Sequence, residues 1–160
     1  MKCLEISGKN GVGKVALVDD EDYERVKRKK WWMLKGGYAF SKADGGRKAP
    51  TVLLHRFILS YSGGDDVDHI NRNKLDNRKE NLRICTRSQN IANAPAHRDS
   101  LSGYRGVHFV HDRKKKWAVY ITKDKKLHVV GHYGTAQQAA IVYNKEAKKL
   151  FGEFAYQNQV

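Results

Sequence analysis

Cysteine and proline are almost missing from this chain of 160 residues, which carries two of each. Cys3 and Cys85 stand far apart and no CxxC pair exists, which excludes a disulfide framework and a four-cysteine zinc site. Long apolar runs are missing too. With 30% charged residues and a mean hydropathy of -0.72, no stretch approaches the ~18 residues a membrane helix needs. The opening MKCLEISGKNGVGK lacks the apolar core of a signal peptide, so a cytoplasmic protein is expected. At 40% hydrophobic and 10% aromatic residues, the chain has enough apolar material to fold rather than stay disordered.

What is present in excess is positive charge: 31 Lys and Arg against 17 Asp and Glu, a net +14. Residues 1–50 carry 12 basic and 7 acidic groups, residues 51–100 carry 8 and 6, and residues 101–160 carry 11 and 4. A polyanion is the expected partner, because neutralised phosphates release condensed counterions from nucleic acid. Membrane surfaces also attract cations, but no basic amphipathic helix with a bulky apolar face is present, so no membrane partner is expected. A solubilising surface is the plainer alternative. The near-neutral middle suits a site that must hold a cation with its carboxylates.

Pro50 and Pro95 fall near the edges of that middle segment and read as boundaries. Before them, Lys14 to Val18 and Tyr38 to Ser41 read as short strands, with turns at Gly36-Gly37 and Gly45-Gly46. Asp20 to Lys30 reads as a helix, acidic first and basic last, as the macrodipole favours. On that reading the acidic cluster Asp19 to Asp22 is a helix start rather than a metal site. Thr51 to Tyr61 is the most apolar run and is expected to pack as a helix.

Ser100 to Gly106 reads as a linker. Val107 to Val110, Trp117 to Thr122 and Leu127 to Val130 follow as three strands of an antiparallel meander around lysine-rich turns. A helix is predicted from Ala136 to Phe151, capped by Thr135 with Gln138 at capping-box spacing and stopped by Gly152. Ala139, Ala140, Tyr143, Ala147, Leu150 and Phe151 recur on one face of it, ready to lie on the sheet. Trp117 reads more readily as core than as a contact residue.

Gly8 to Lys14 (GKNGVGK) nearly matches the phosphate-loop pattern G-x-x-x-x-G-K-S/T. Val15 stands where the magnesium-ligating hydroxyl belongs, and a strand follows instead of a helix. A glycine-rich hairpin turn explains the run better, and no nucleotide cofactor is expected.

The second constellation lies in the middle. Val67-Asp68-His69-Ile70 reads as a strand, a polar loop runs from Asn71 to Lys79, and Glu80 to Cys85 leads into another strand. Thr86 then caps a helix with Gln89 and presents Asn90. Asp68 and the amide oxygen of Asn90 are the hard ligands a divalent cation prefers. His69, neutral near pH 7, suits proton abstraction from a water. Adjacent strand residues point to opposite faces, so Asp68 and His69 share a target only if the strand ends or twists there. From these residues alone, a polar turn and a surface asparagine explain the run equally well. His97, His108, His111, His128 and His132 are scattered without metal-ligand spacing.

Residues 51–95, with LHR and then VDHINRNKLDNRKENLRICTRSQNIAN, resemble an HNH endonuclease of the phage and homing type. His55 belongs to the lead-in helix of that pattern, Asp68-His69 match its DH pair, Asn81-Leu82 its NL, and Ser88-Gln89-Asn90 its SQN. The resemblance implies a ββα-metal fold, with Asp68 and Asn90 as metal ligands, His69 as general base and Asn81 bracing the loop. The loop also offers Asn73 and Asn77 for the middle asparagine. Paired CxxC zinc knuckles, present in some members, are missing here. Residues 102–158 resemble an AP2 DNA-binding domain on Tyr104-Arg105-Gly106-Val107, Lys116-Trp117, Gly131-His132-Tyr133, Thr135-Ala136, Ala139-Ala140 and Asn158. That implies a three-stranded sheet laid in the major groove, with Arg105 at a reading position. His108, Thr122 and Leu127 stand where plant members carry arginines. Arg113, Lys114, Lys115, Lys116, Lys123, Lys125 and Lys126 cluster in the turns and suit phosphate contacts, which position without specifying.

The expected protein is therefore α+β. It has a β-rich lead-in at 1–50, an HNH motif at 51–95, a linker at 96–102 and an AP2-like domain at 103–158. The expected activity is metal-dependent hydrolysis of double-stranded DNA with one Mg²⁺ or Mn²⁺ per site, by a monomer that nicks one strand, or a dimer that cuts both. The resemblance places it in the cytoplasm of a phage-infected bacterial cell. The alternative is a DNA-binding regulator whose HNH segment is an inactive scaffold.

Overall fold

The computed structural model describes residues 1–44 and 48–160, so the expected Gly45-Gly46 turn lies outside the described residues. The fold is mixed α and β, with small antiparallel sheets and short helices arranged in two compact units, Met1–Cys85 and Thr86–Val160. Their boundary falls upstream of the expected linker at 96–102, inside the stretch read as one motif. Among the described residues no helix is long and apolar enough to cross a membrane.

The first unit begins with a hairpin that the sequence did not announce in full. Strand β1 (Lys2–Glu5) pairs with β2 (Val15–Val18), Lys2 opposite Val18. The KCLE run places a single buried residue, Leu4, among exposed ones, which leaves little apolar signal to read. The glycine-rich segment between the two strands is a turn. Gly11 N donates to Gly8 O at 2.8 Å and Lys14 N to Gly11 O at 2.9 Å.

Helix α1 (Asp20–Val26) starts with its acidic residues as expected, but stops short of Lys30. Val26 O accepts from Lys29 N at 3.1 Å, a three-residue closing turn, and from the indole Nε1 of Trp31 at 2.8 Å. Trp31 is 1% exposed and meets Phe57 edge-on at 5.6 Å, anchoring the core with Leu4, Val18, Val26 and Leu54. Burying a side chain of this size contributes about 2–3 kcal/mol.

Strands β3 (Trp32–Met33), β4 (Ala39–Lys42) and β5 (Thr51–Leu53) form an antiparallel sheet in that order. The apolar run expected as one helix thus divides. Thr51 to Leu53 pair with Lys42 to Phe40, and only Leu54–Ile58 is helical, as α2. β-Branched Thr51 and Val52 suit a strand, and the waiting edge of β4 decides the matter.

Strands β6 (Asp66–His69) and β7 (Leu82–Cys85) pair antiparallel, Asp68 opposite Arg83 and His69 opposite Leu82. The segment 70–81 between them closes with a 3-10 turn at Lys79–Asn81. Backbone bonds pin it to β2: Leu17 N donates to Leu75 O at 2.7 Å and Asn77 N to Leu17 O at 2.8 Å.

In the second unit, helix α3 (Arg87–Ala92) carries the predicted capping box. Gln89 N donates to Thr86 Oγ1 at 3.2 Å and Thr86 N to Gln89 Oε1 at 2.8 Å. Strands β8 (Val107–Phe109), β9 (Trp117–Lys123) and β10 (Lys126–Tyr133) form an antiparallel sheet, with β9 central. Asp124 and Lys125 join β9 to β10 with φ of 50° and 66°, the left-handed pair a two-residue hairpin needs.

Helix α4 (Ala136–Phe151) matches its predicted span; Gln138 N donates to Thr135 Oγ1 at 3.2 Å, and Gly152 ends it at φ 58°. Its Ala139, Ala140, Tyr143 and Ala147 pack on Val107, Val119 and Ile121. Trp117 is half-buried and meets Phe109 edge-on at 5.1 Å, consistent with its reading as core.

Candidate active site

The β6–β7 ladder ends at its most polar point. Asp68 and His69 are both buried, at 6% and 4% exposure, and the pleat sends them to different partners. Asp68 Oδ2 accepts from Arg83 Nε at 3.0 Å and from Arg83 Nη2 at 2.9 Å. His69 turns instead toward α2 and the loop. Its ring meets that of His55 at 5.1 Å, nearly perpendicular, and that of Tyr38 at 6.0 Å; Tyr38 also meets His55 at 5.5 Å. His69 Nε2 lies 3.3 Å from Asn77 Oδ1.

Burial holds both histidines neutral. His55 is lowered to about 3, chiefly by desolvation, with His69 and Arg56 adding to it. His69 is lowered as well, again chiefly by desolvation; the Asn77 bond and the carboxylates of Asp68 and Asp76 oppose that shift, and Lys74 reinforces it. A neutral imidazole is the form that accepts a proton.

Asn81 ties the loop together. Its Oδ1 accepts from Asn71 N at 2.9 Å and its Nδ2 donates to Asp76 O at 2.7 Å. Asp76, 2% exposed, accepts from Arg78 Nε and Nη2, both at 2.8 Å, and from Asn71 Nδ2 at 2.7 Å. The Arg78 bonds hold the Asp76 carboxyl below its usual range. Asn73 serves local turn geometry, accepting from Leu75 N at 3.1 Å. Lys74 reaches back across the site, its Nζ donating to Gly36 O at 2.8 Å and lying 4.5 Å above the Tyr38 ring.

Asp68, His69 and Asn81 thus belong to the first unit, gathered on the ladder and its loop. Asn90 sits half-buried on α3 of the second unit. Among the described residues no three His, Cys, Asp or Glu side chains gather as a metal cage. The donors on offer are a buried carboxylate and amide oxygens. That set fits a hard divalent ion completed by waters and phosphate, and does not fit zinc.

The basic residues expected to contact DNA fall into two groups. Arg113, Lys114, Lys115 and Lys116 are exposed between β8 and β9, and Lys125 and Lys126 are exposed around the β9–β10 turn. Arg105 and Lys123 are committed within the unit. Arg105 donates from Nε to Tyr143 Oη at 2.9 Å, from Nη1 to Pro95 O at 3.2 Å and from Nη2 to Ile91 O at 2.7 Å. Lys123 Nζ donates to Leu150 O at 3.1 Å, near the C-terminal end of α4.

Sequence reasoning named Asn77 only as one of several loop asparagines, and it missed Tyr38 and Arg83 altogether. Arg83 was open to discovery, since pairing β6 with β7 places it opposite Asp68. Tyr38 carries no local signal; only the packing of β4 and α2 against the ladder brings it to His69.

The paired strands thus hold a buried neutral histidine next in sequence to a buried carboxylate, and the comparisons give the chain a family. The family model described as HNH endonuclease matches residues 52–92. An uncharacterised HNH endonuclease of Acanthamoeba polyphaga mimivirus is 35% identical over 156 residues, covering 94% of this chain and 78% of the relative. No solved structure matches. The chain belongs to the HNH endonuclease family and is a nuclease acting on DNA.

Proposed function

We propose that this chain is a metal-dependent endonuclease that hydrolyses phosphodiester bonds of double-stranded DNA, with His69 as general base. The observation that carries the reading is the buried His69 at the end of β6, kept neutral and held by Asn77 beside the carboxylate of Asp68. His69 accepts a proton from the attacking water as its oxygen bonds to phosphorus and the bridging P–O bond breaks. Asn81 keeps the loop in place around the base, through the Asn71 and Asp76 backbone. Asp68 and the amide oxygen of Asn90 are the groups that would hold one Mg²⁺ or Mn²⁺. When bound, such an ion neutralises charge on the phosphate and on the departing oxygen.

Residues 103–158 of the second unit read as an AP2-like DNA-binding domain of three strands and one helix. Its helix caps, its core residues and its basic turns support that reading. Arg113, Lys114, Lys115, Lys116, Lys125 and Lys126 are the phosphate contacts it offers. Arg105 and Lys123 act as scaffold, since their cationic groups already serve internal acceptors. One motif per chain makes a monomer a nicking enzyme, with double-strand cutting left to two chains. The viral origin of the relative supports a phage or viral homing-type role.

Incubation of supercoiled plasmid with the protein and Mg²⁺ or Mn²⁺, against an EDTA control and His69→Ala, tests the reading. Metal-dependent nicking that the variant loses is the expected result. Salt-sensitive binding without cleavage in either metal, on phage genomic DNA as well as on plasmid, overturns it in favour of a DNA-binding regulator.

A further inference from the structure

We propose that the outward face of the β8–β9–β10 sheet selects thymine in the major groove, with Leu127, Val129 and Thr122 packing on the C5-methyl groups. This rests on the second unit being the DNA-binding part of the chain.

The two faces of the sheet differ in their surroundings. Val107, Val119 and Ile121 are buried against α4. On the other face the register sets Leu127 opposite Thr122 and Val129 opposite Tyr120. His108 shares that face from β8, its ring 5.3 Å from that of Tyr120. The outward face of an antiparallel sheet is ordinarily polar. Here Leu127 is 58% and Val129 60% exposed. They lie two residues apart on one strand, each across from a methyl-bearing or aromatic side chain, so their apolar atoms form one patch.

Charge brackets that patch. No charged side chain occurs from Val107 to Phe109, from Trp117 to Thr122 or from Leu127 to Tyr133. Arg113, Lys114, Lys115 and Lys116 are exposed where β8 turns into β9. Lys125 and Lys126 are exposed at the opposite end, where β9 turns into β10. β9 has seven residues, and its ends lie about 20 Å apart at about 3.4 Å per residue. The major groove of DNA has the matching layout, a floor of base edges about 12 Å wide between two phosphate walls. A strand lying obliquely across it sets its basic ends on the walls and its apolar middle on the bases. A second copy of the chain is the poorer occupant, because its own basic turns would meet these.

The side chains then select the base. Guanine is read by the guanidinium of arginine or the ammonium of lysine, and the middle of this face has neither. Thymine carries a methyl group that is exposed in the major groove, where apolar side chains and threonine methyls contact it.

Fluorescence anisotropy of the full chain in EDTA, at fixed salt, tests this on short duplexes of alternating d(AT), d(AU), d(GC) and d(G-5-methylC). Within each pair the duplexes differ only by a methyl group in the major groove. The wild type is expected to bind d(AT) about 4- to 16-fold more tightly than d(AU), about four-fold for each methyl that Leu127 and Val129 bury. The methylated d(GC) duplex is expected to gain in the same direction. Leu127→Ser combined with Val129→Ser is expected to bind d(AT) and d(AU) alike, with the melting temperature of the wild type.

Equal affinity of the wild type for d(AT) and d(AU) overturns the proposal, and it does so without any variant. Discrimination that survives in the double variant overturns the assignment to these side chains. Self-association of the wild type that the double variant abolishes puts a second copy on the face and overturns it as well. Failure to bind any of the duplexes overturns the DNA-binding reading beneath it; binding that ignores the methyl groups overturns this inference alone.

Discussion

Asp68 and Arg83 face each other across the β6–β7 ladder and are joined twice at one oxygen, Oδ2, at 3.0 and 2.9 Å. Both side chains are mostly buried, at 7% and 12% exposure, so this is no surface ion pair. Removing one partner of such a pair strands the other charge. Arg83→Ala is expected to destabilise the protein by about 3 kcal/mol in urea denaturation. If Asp68 takes a divalent ion, Mg²⁺ should raise the melting temperature of Arg83→Ala more than that of the wild type, because the ion replaces the lost cation. An equal Mg²⁺ response in wild type, Arg83→Ala and Asp68→Asn would count against Asp68 as a ligand.

The loop brace makes a second prediction. Asn81→Ala leaves Asn71 N–H and the buried Asp76 carbonyl without this partner. Each unpaired buried polar group costs about 1–3 kcal/mol, so a loss of about 2–3 kcal/mol is expected, together with loss of nicking. Asn81→Asp keeps the acceptor for Asn71 N and should recover part of the stability. Equal stability of the wild type and Asn81→Ala in urea would show that the loop does not depend on this amide.

Acid should weaken the fold partly through His55. Its folded value, about 3, lies below the ordinary 6.5, so the unfolded chain takes up the proton first. Stability is therefore complete above pH 6.5 and falls as the pH drops toward 3, by about 1 kcal/mol for each pH unit. Asp76, also held low, pulls in the same direction, so the comparison needs a difference curve. His55→Gln is expected to flatten the acid limb of stability against pH relative to the wild type. Parallel limbs for the two proteins would mean that His55 is not held neutral.

The exposed lysines between β8 and β9 predict a salt effect. Lys114, Lys115 and Lys116 together replaced by Ala should weaken DNA binding and lessen its log–log salt slope by about 0.9 for each lost phosphate contact. The same change at Lys123, which is tied to Leu150 O, should reduce thermal stability and leave the slope close to wild type. A slope that responds to Lys123 and not to the other three would invert this assignment. Titration by fluorescence anisotropy at several salt concentrations distinguishes the two.

Much of the architecture was legible because it rests on local chemistry. α4 is readable end to end, since Thr135, the alanine-rich apolar face and Gly152 are start, middle and stop signals within one short stretch. The Thr86 capping box is of the same kind. Where the reading missed, a distant partner had decided. Thr51 to Leu53 are a strand because β4 offers an edge, and past the end of α1 the Val26 carbonyl accepts from Lys29 N and from the Trp31 indole. The internal bonds of Arg105 to Tyr143, Ile91 and Pro95 were likewise not legible in the sequence.

The sequence by itself determined the class of protein through its resemblance to the HNH pattern. Asp68, His69, Asn81 and Asn90 match that pattern along the chain, and the match needs no coordinates to read. The excess of positive charge likewise pointed to a polyanion. Only the tertiary structure decided which groups touch His69. Asn77, His55 and Tyr38 reach it from a loop, a helix and the residue just before β4, which chain order separates. Hydrogen bonds and ring contacts act over a few ångströms of space, whatever the distance along the chain, so packing alone could bring those three to one imidazole.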